Sequence, residues 1–283
     1  MGDDDVPASG RLSPTRFTPS GVRMRRHVQR PGQLNWLLLP GGPGIGSESL
    51  EELADLLDVA GSIWLVDLPG DGSNVSPPGL DPFALWPAVL AEAVDALPHC
   101  VFVGHSTGGM YLLSTPRLEE QLAGLALISS APDTKWRQAF AKMAAAHPLP
   151  ALEAATVAYE ADRTDEGLRR MAVAAAEWNF PTPSLDLGRE LLGRMPYNAA
   201  AVEWSDRNFD ETYAAQWWPA RLPTLILGGD QDRIVDQSLW DAPRFNAPNV
   251  TRRTINGAGH FPWIDNSEQV RQAFADWGAR FLG

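Results

Sequence analysis

The strongest constraint on what this chain can fold into is a series of short apolar runs, each stopped by glycine and proline. Leu34-Asn35-Trp36-Leu37-Leu38-Leu39 ends at Pro40-Gly41-Gly42-Pro43-Gly44, and Ile63-Trp64-Leu65-Val66 runs into Asp67-Leu68-Pro69-Gly70-Asp71-Gly72. Val101-Phe102-Val103 stops at Gly104, Leu122 to Ile128 follows, and Thr224-Leu225-Ile226-Leu227 stops at Gly228-Gly229. A strand without a polar face has to be covered on both sides, which an antiparallel sheet facing water does not require. Between the runs the apolar spacing turns helical. Leu50, Leu53, Leu56 and Leu57 form one such stripe, with Ser49 and Glu52 as a capping box. Val89, Leu90, Ala93, Val94 and Leu97 form another, which Pro87 can begin. The alternation predicts an α/β fold: a mostly parallel twisted sheet with helices on both faces.

The alternation lapses between about Ala131 and Ala220. That stretch has helical periodicity, no convincing strand, and five of the eleven tryptophans (Trp136, Trp178, Trp204, Trp217 and Trp218). It reads as a helical cap, residues 131–220, inserted into a core formed by 15–130 and 221–283. Residues 1–14 are polar and aperiodic, a frayed lead-in. Two short runs between Thr15 and Arg30, separated by Pro19-Ser20-Gly21, suggest a hairpin. Strand character returns near Val250 to Ile255, and a last helix carries Val270, Phe274, Trp277 and Phe281 on one face, capped by Asn266 or Ser267.

Composition narrows the function. A net charge of −12 argues against nucleic acid or an anionic membrane as partner. Cys100 is the only cysteine, which excludes an internal disulfide and a cysteine-based metal site; beside an apolar strand it reads as a small buried hydrophobe. No run of 18 apolar residues could span a bilayer, and the acidic start Met1-Gly2-Asp3-Asp4-Asp5 is unlike a signal peptide. The expectation is a soluble cytoplasmic protein without metal or cofactor, acting on a small molecule; oligomeric state is left open.

Gly104-His105-Ser106-Thr107-Gly108 places G-x-S-x-G between a strand and a helix-compatible segment, the form of a nucleophile elbow. A serine can stand clear of a sheet edge only on a sharp turn, and Gly104 and Gly108 remove the side chains that would collide there. A serine attacks only when a base takes its proton and a third group orients that base. Two late runs supply candidates: Gly229-Asp230-Gln231-Asp232-Arg233 after one, and Gly257-Ala258-Gly259-His260 after the other. His27, His99, His105 and His147 stand in contexts that suit structural or solvent-facing roles.

The order Ser106, Asp, His260 and the strand ends that carry them resemble the α/β-hydrolase fold from about Val22 onward. By that resemblance the acid is Asp232, with Asp230 the alternate, and His260 is the general base. Pro40-Gly41-Gly42-Pro43-Gly44 is similar to the H-G-G-P-G loop of proline iminopeptidases, with Pro40 standing where that family has histidine. The resemblance implies an oxyanion hole of the Gly42 and Thr107 N–H groups. It also implies acids in the cap that would hold a substrate amine. Glu153, Glu160, Asp162, Glu177 and Glu203 are available, although a solvated helical face accounts for each. The cap tryptophans and Trp263 can line an apolar pocket or pin the cap to the core.

The expected function is therefore a serine hydrolase of a small ester, amide, lactone or N-terminal peptide bond, working through an acyl-enzyme. Lyase, C–C hydrolase or cofactor-free oxygenase chemistry at the same site is the alternative, and a ligand-binding protein with little turnover is a further one.

Overall fold

The computed structural model describes residues 14–76 and 81–281. Strands β1 (Thr15–Phe17) and β2 (Arg23–Gln29) form the expected hairpin. Then come β3 (Asn35–Leu39), α1 (Glu51–Leu56), β4 (Ser62–Asp67), α2 (Trp86–Asp95), β5 (Cys100–His105), α3 (Thr107–Leu113), α4 (Leu118–Gln121) and β6 (Gly124–Ile128). Helices α5 (Lys135–Ala146), α6 (Pro150–Ala161), α7 (Asp165–Ala174), α8 (Ala176–Asn179), α9 (Leu185–Arg194) and α10 (Ala199–Asn208) lie between β6 and β7 (Thr224–Gly229). The chain closes with β8 (Val250–Ile255), α11 (Pro262–Asp265) and α12 (Ser267–Gly278). The lead-in expected at 1–14 falls, apart from Pro14, outside the described residues.

The sheet runs β1-β2-β4-β3-β5-β6-β7-β8, parallel from β4 to β8, with β2 antiparallel to β4 at one edge. Its central strands explain the continuous apolar runs. Trp36, Leu38, Val101, Val103, Ala126 and Ile128 face one core with α1 and α12. Leu37, Leu39, Phe102, Leu125 and Leu127 face another with α2 and α3. Alternate residues thus point to opposite faces, both dry. Cys100 is buried in the second core, and burial pushes its thiol up to about 12, with Asp95 adding to the shift. No helix among the described residues is long and apolar enough to cross a membrane.

Helix ends show where local pattern and tertiary context part. Asn266 caps α12 as expected, its side chain accepting the Gln269 N–H at 3.2 Å. The capping box read at Ser49 and Glu52 does not form. Ser49 sits in a 3-10 turn and donates to the Gly46 carbonyl, α1 starts after Leu50, and Glu52 pairs with Arg194 of α9. A competing tertiary partner took the glutamate.

Candidate active site

The parallel strands β3, β5, β7 and β8 end at one edge of the sheet, and each delivers one part of the site there. The Gly41–Gly44 loop follows β3, Ser106 follows β5, Asp232 follows β7 and His260 follows β8.

Ser106 adopts φ 51° and ψ −124°, a conformation that costs an L-residue on the order of 1–3 kcal/mol. Its N–H donates to the Ile128 carbonyl at 2.8 Å, and its carbonyl accepts the Gly109 N–H at 3.0 Å, so both neighbours hold the turn. A Cβ on Gly104 would lie 2.6 Å from Gly109, and one on Gly108 would lie 2.4 Å from the Pro40 carbonyl oxygen. Both glycines are therefore required by close approach. The second contact also seats α3 directly against the glycine loop. Among the described residues the Gly42 and Thr107 N–H groups have no acceptor.

His260 Nε2 lies 3.0 Å from Ser106 Oγ, and its Nδ1 lies 3.1 Å from both oxygens of Asp232. Asp232 is fully buried and also accepts the N–H groups of Ile234 (2.9 Å) and Val235 (3.0 Å). A carboxylate that only accepts places the ring proton on Nδ1 and leaves Nε2 free to receive the serine proton. Asp230 does other work. Its Oδ1 accepts the Gly257 and Ala258 N–H groups at 2.7 and 3.3 Å and anchors the turn that presents His260.

Three supports of this site carried no signal in the sequence. Asn179, at the end of α8, accepts the His260 N–H at 2.8 Å through its carbonyl, so the inserted helices hold the histidine backbone. Asp265 accepts the Gly259 N–H at 2.7 Å. His105 is buried, with Nε2 3.0 Å from the His260 carbonyl and its ring against His260, Phe261 and Trp263. Burial, with repulsion from His260, drives the His105 pKa well below the usual histidine range. A neutral His105 places no cation beside the His260 ring. The remaining histidines stand apart: His27 pairs with Asp55, and the carbonyls of His99 and His147 serve Asn35 and Trp178.

Gly41, Gly42, Ser106, Asn179, His260 and Phe261 help to line a cavity of about 170 Å³. It meets a second cavity of about 440 Å³ beneath α5, α6 and α7, the two sharing Gly42, Ile45, Ala172 and Ile234. A larger groove of about 530 Å³ lies elsewhere, between α1, α9 and α11, and contains no residue of the serine–histidine–aspartate group. Size alone does not locate the chemistry.

A sequence model of the alpha/beta hydrolase family matches residues 36–273. The chain belongs to the alpha/beta hydrolase family. As an alpha/beta hydrolase it is an enzyme. Pimeloyl-(acyl-carrier protein) methyl ester esterase of Xanthomonas oryzae pv. oryzae is 27% identical over 266 residues, spanning 87% of this chain and 96% of that protein. Its counterpart in Xanthomonas campestris pv. campestris is 28% identical over 258 residues, with the same coverage. Among solved structures, a proline iminopeptidase-related protein from Thermus thermophilus superposes with TM-score 0.71 at 22% identity, covering 94% of this chain and 97% of its own. An alpha/beta fold family hydrolase from Bacillus anthracis str. Sterne gives 0.72 at 16% identity, covering 94% and 98%. These two likenesses speak for the fold.

The cap acids named from the sequence do not line either cavity. Glu153, Glu160, Asp162 and Glu177 are exposed, and Glu203 pairs with Arg207 at 2.6 Å. Most tryptophans are packing residues. Trp217 donates to the Leu112 carbonyl, Trp218 packs on Trp240 and Phe245, and Trp204 packs on Phe83 and Trp86. Trp263 is buried against His105 and Phe261 and does not line the Ser106 cavity. Trp178 alone of the five inserted tryptophans lines the larger cavity.

Proposed function

We propose that this alpha/beta hydrolase is a serine esterase with a Ser106–His260–Asp232 triad. The observation that carries the reading is the pair of contacts made by one imidazole: 3.0 Å to Ser106 Oγ on one side and 3.1 Å to the buried Asp232 on the other. Ser106 Oγ attacks the ester carbonyl carbon while its proton moves to His260 Nε2. The carbonyl oxygen becomes an oxyanion held by the Gly42 and Thr107 N–H groups, whose lack of other acceptors among the described residues supports this role. The tetrahedral species collapses, the C–O bond to the alcohol breaks, and His260 returns the proton to the departing oxygen. Water, deprotonated by His260, then attacks the acyl-serine, and the second collapse frees the acid and restores Ser106. Asp232 keeps the imidazole in its working tautomer and offsets its charge when protonated.

Residues 131–220 act in this scheme as a cap over a core of 15–130 and 221–283. The Asn179 carbonyl on the His260 N–H and the Asn198 N–H on the Gly44 carbonyl, 2.9 Å, support that arrangement. The names of the curated relatives favour an ester over a peptide. The absence of an acid among the residues lining either cavity points the same way, since a free substrate amine would need one. The substrate is a small molecule, and the acidic net charge favours neither nucleic acid nor an anionic membrane surface as partner.

The test is a fluorophosphonate probe with an activated acetate ester. One label per chain at Ser106, and loss of labelling and turnover in Ser106→Ala, are expected. Turnover that survives Ser106→Ala would sink the mechanism.

A further inference from the structure

On the reading that Ser106 forms an acyl-enzyme, we propose that the larger cavity is the acyl site and that it takes a neutral alkyl chain longer than acetyl. Continuity is the first ground. The cavity of about 440 Å³ adjoins the Ser106 cavity, the two sharing Gly42, Ile45, Ala172 and Ile234 as lining, so it is the neighbouring space into which a chain on the acyl carbon would extend. Its volume lies within the range of small-molecule sites.

Lining chemistry is the second ground. Phe140, Leu152, Leu168, Met171 and Trp178 supply apolar wall, and none of the described residues lining it is charged. Three polar side-chain groups reach the wall, and each is already engaged within the protein. Thr156 Oγ1 donates to the Leu152 carbonyl at 2.9 Å, Trp178 Nε1 to the His147 carbonyl at 2.9 Å, and Tyr197 OH to the Leu192 carbonyl at 2.9 Å. The nearby Arg169 is turned to other work, stacking over the Tyr197 ring at 5.9 Å and pairing with Glu166. An alkyl chain needs none of these groups. A terminal carboxylate or ammonium would lose part of its water against these half-buried walls and meet no charged partner on them, which is unfavourable. The edge-to-face pair of Phe140 and Trp178, centroids 5.4 Å apart, makes a rigid section of wall, while the unbranched Met171 can adapt to chain length.

The inference distinguishes alkyl esters from both dicarboxylic half-esters and amino-terminal substrates. The experiment uses the full chain with p-nitrophenyl acetate, butyrate, hexanoate and octanoate, the mono-p-nitrophenyl ester of suberic acid, and prolyl β-naphthylamide. kcat/KM should rise about three- to fourfold per methylene until the cavity is full. The suberate half-ester should fall at least about a hundredfold below octanoate, and the prolyl amide lower still. Leu152, which lines the larger cavity but not the Ser106 cavity, provides a charge swap. Leu152→Arg should reduce the octanoate-to-suberate ratio at least about tenfold by raising suberate turnover, a gain that structural damage cannot produce. The wild-type series decides the matter if that variant does not fold. A flat chain-length profile, or suberate or prolyl turnover equal to octanoate, overturns the acyl site while Ser106-dependent acetate hydrolysis leaves the esterase standing. Failure of every ester to show Ser106-dependent turnover removes the esterase reading and the acyl site with it.

Discussion

Asp71 offers a test of how burial and function are linked at the glycine loop. Its carboxyl is buried in the loop after β4, where Oδ1 accepts the Gly44 N–H at 3.3 Å, so it braces the loop that also contains Gly42. Desolvation, with repulsion from Asp67 and against backbone hydrogen bonds to Gly44 and Leu68, pushes it up from 3.8 to about 8. Asp67 is itself engaged by Arg23 at 2.9 Å and Arg25 at 3.5 Å, and Tyr111 of α3 feels the Asp71 charge. The folded state thus keeps a proton that the unfolded chain releases above about pH 4. The stability that this neutral carboxyl contributes is complete below the unfolded value and is lost as pH rises toward about 8. At ~1.4 kcal/mol per pH unit, the loss is about 4 kcal/mol by pH 7 and levels off near about 6 kcal/mol above pH 8. Asp71→Asn keeps an oxygen for the Gly44 N–H and cannot ionise. Urea unfolding of both proteins at pH 5, 7 and 9 follows this group and the residues coupled to it, because titrations that do not feel Asp71 cancel in the difference. The variant should gain on the wild type as pH rises, by several kcal/mol between pH 5 and 9. A difference that stays flat within about 0.5 kcal/mol, the scatter expected of unrelated sites, would refute the buried neutral acid.

Further substitutions check the site. Asp232→Asn should lower kcat on an acetate ester by about 10³- to 10⁴-fold with a small change in KM. Asp230→Asn should lower thermal stability, by about 1–3 kcal/mol for weakened turn anchors, and change kcat less than about tenfold; equal kcat losses in the two would contradict their separate roles. Gly41→Ala would place a Cβ 2.6 Å from Ser106 Cβ and 2.9 Å from the His105 carbonyl oxygen. It should reduce kcat/KM at least about a hundredfold through misplacement of the nucleophile, and a loss under threefold would refute the claim that this approach matters.

Much of the architecture was legible before the coordinates. The apolar run at Leu34–Leu39 had the form of a strand covered on both faces, Thr224–Leu227 had strand character, and the glycine-rich stretches after them marked one edge of the sheet. The run of helices between β6 and β7 was visible as a lapse in alternation after about Ala131. Less legible were groups whose role depends on a partner distant in sequence. Glu52 looked like a capping residue and paired with Arg194, 142 residues away. His105 suited either a structural or a solvent-facing role, and its bond to the carbonyl of residue 260, which leaves no local pattern, makes it structural.

What the sequence by itself determined is the order of the parts: alternating runs, a serine on a tight turn, then an acid and a histidine after later strands. These follow from local chemistry, since glycine, β-branched and apolar residues dictate turns and strands wherever they occur. That Asp232 meets His260 while Asp230 holds its turn depends on the assembled fold, because two carboxylates two positions apart differ in direction alone. The fold also decided that the cavity beside Ser106 is lined without charge. The acids between β6 and β7 are numerous, yet helix rotation and packing turn most of them outward, and that is a property of the assembled layers.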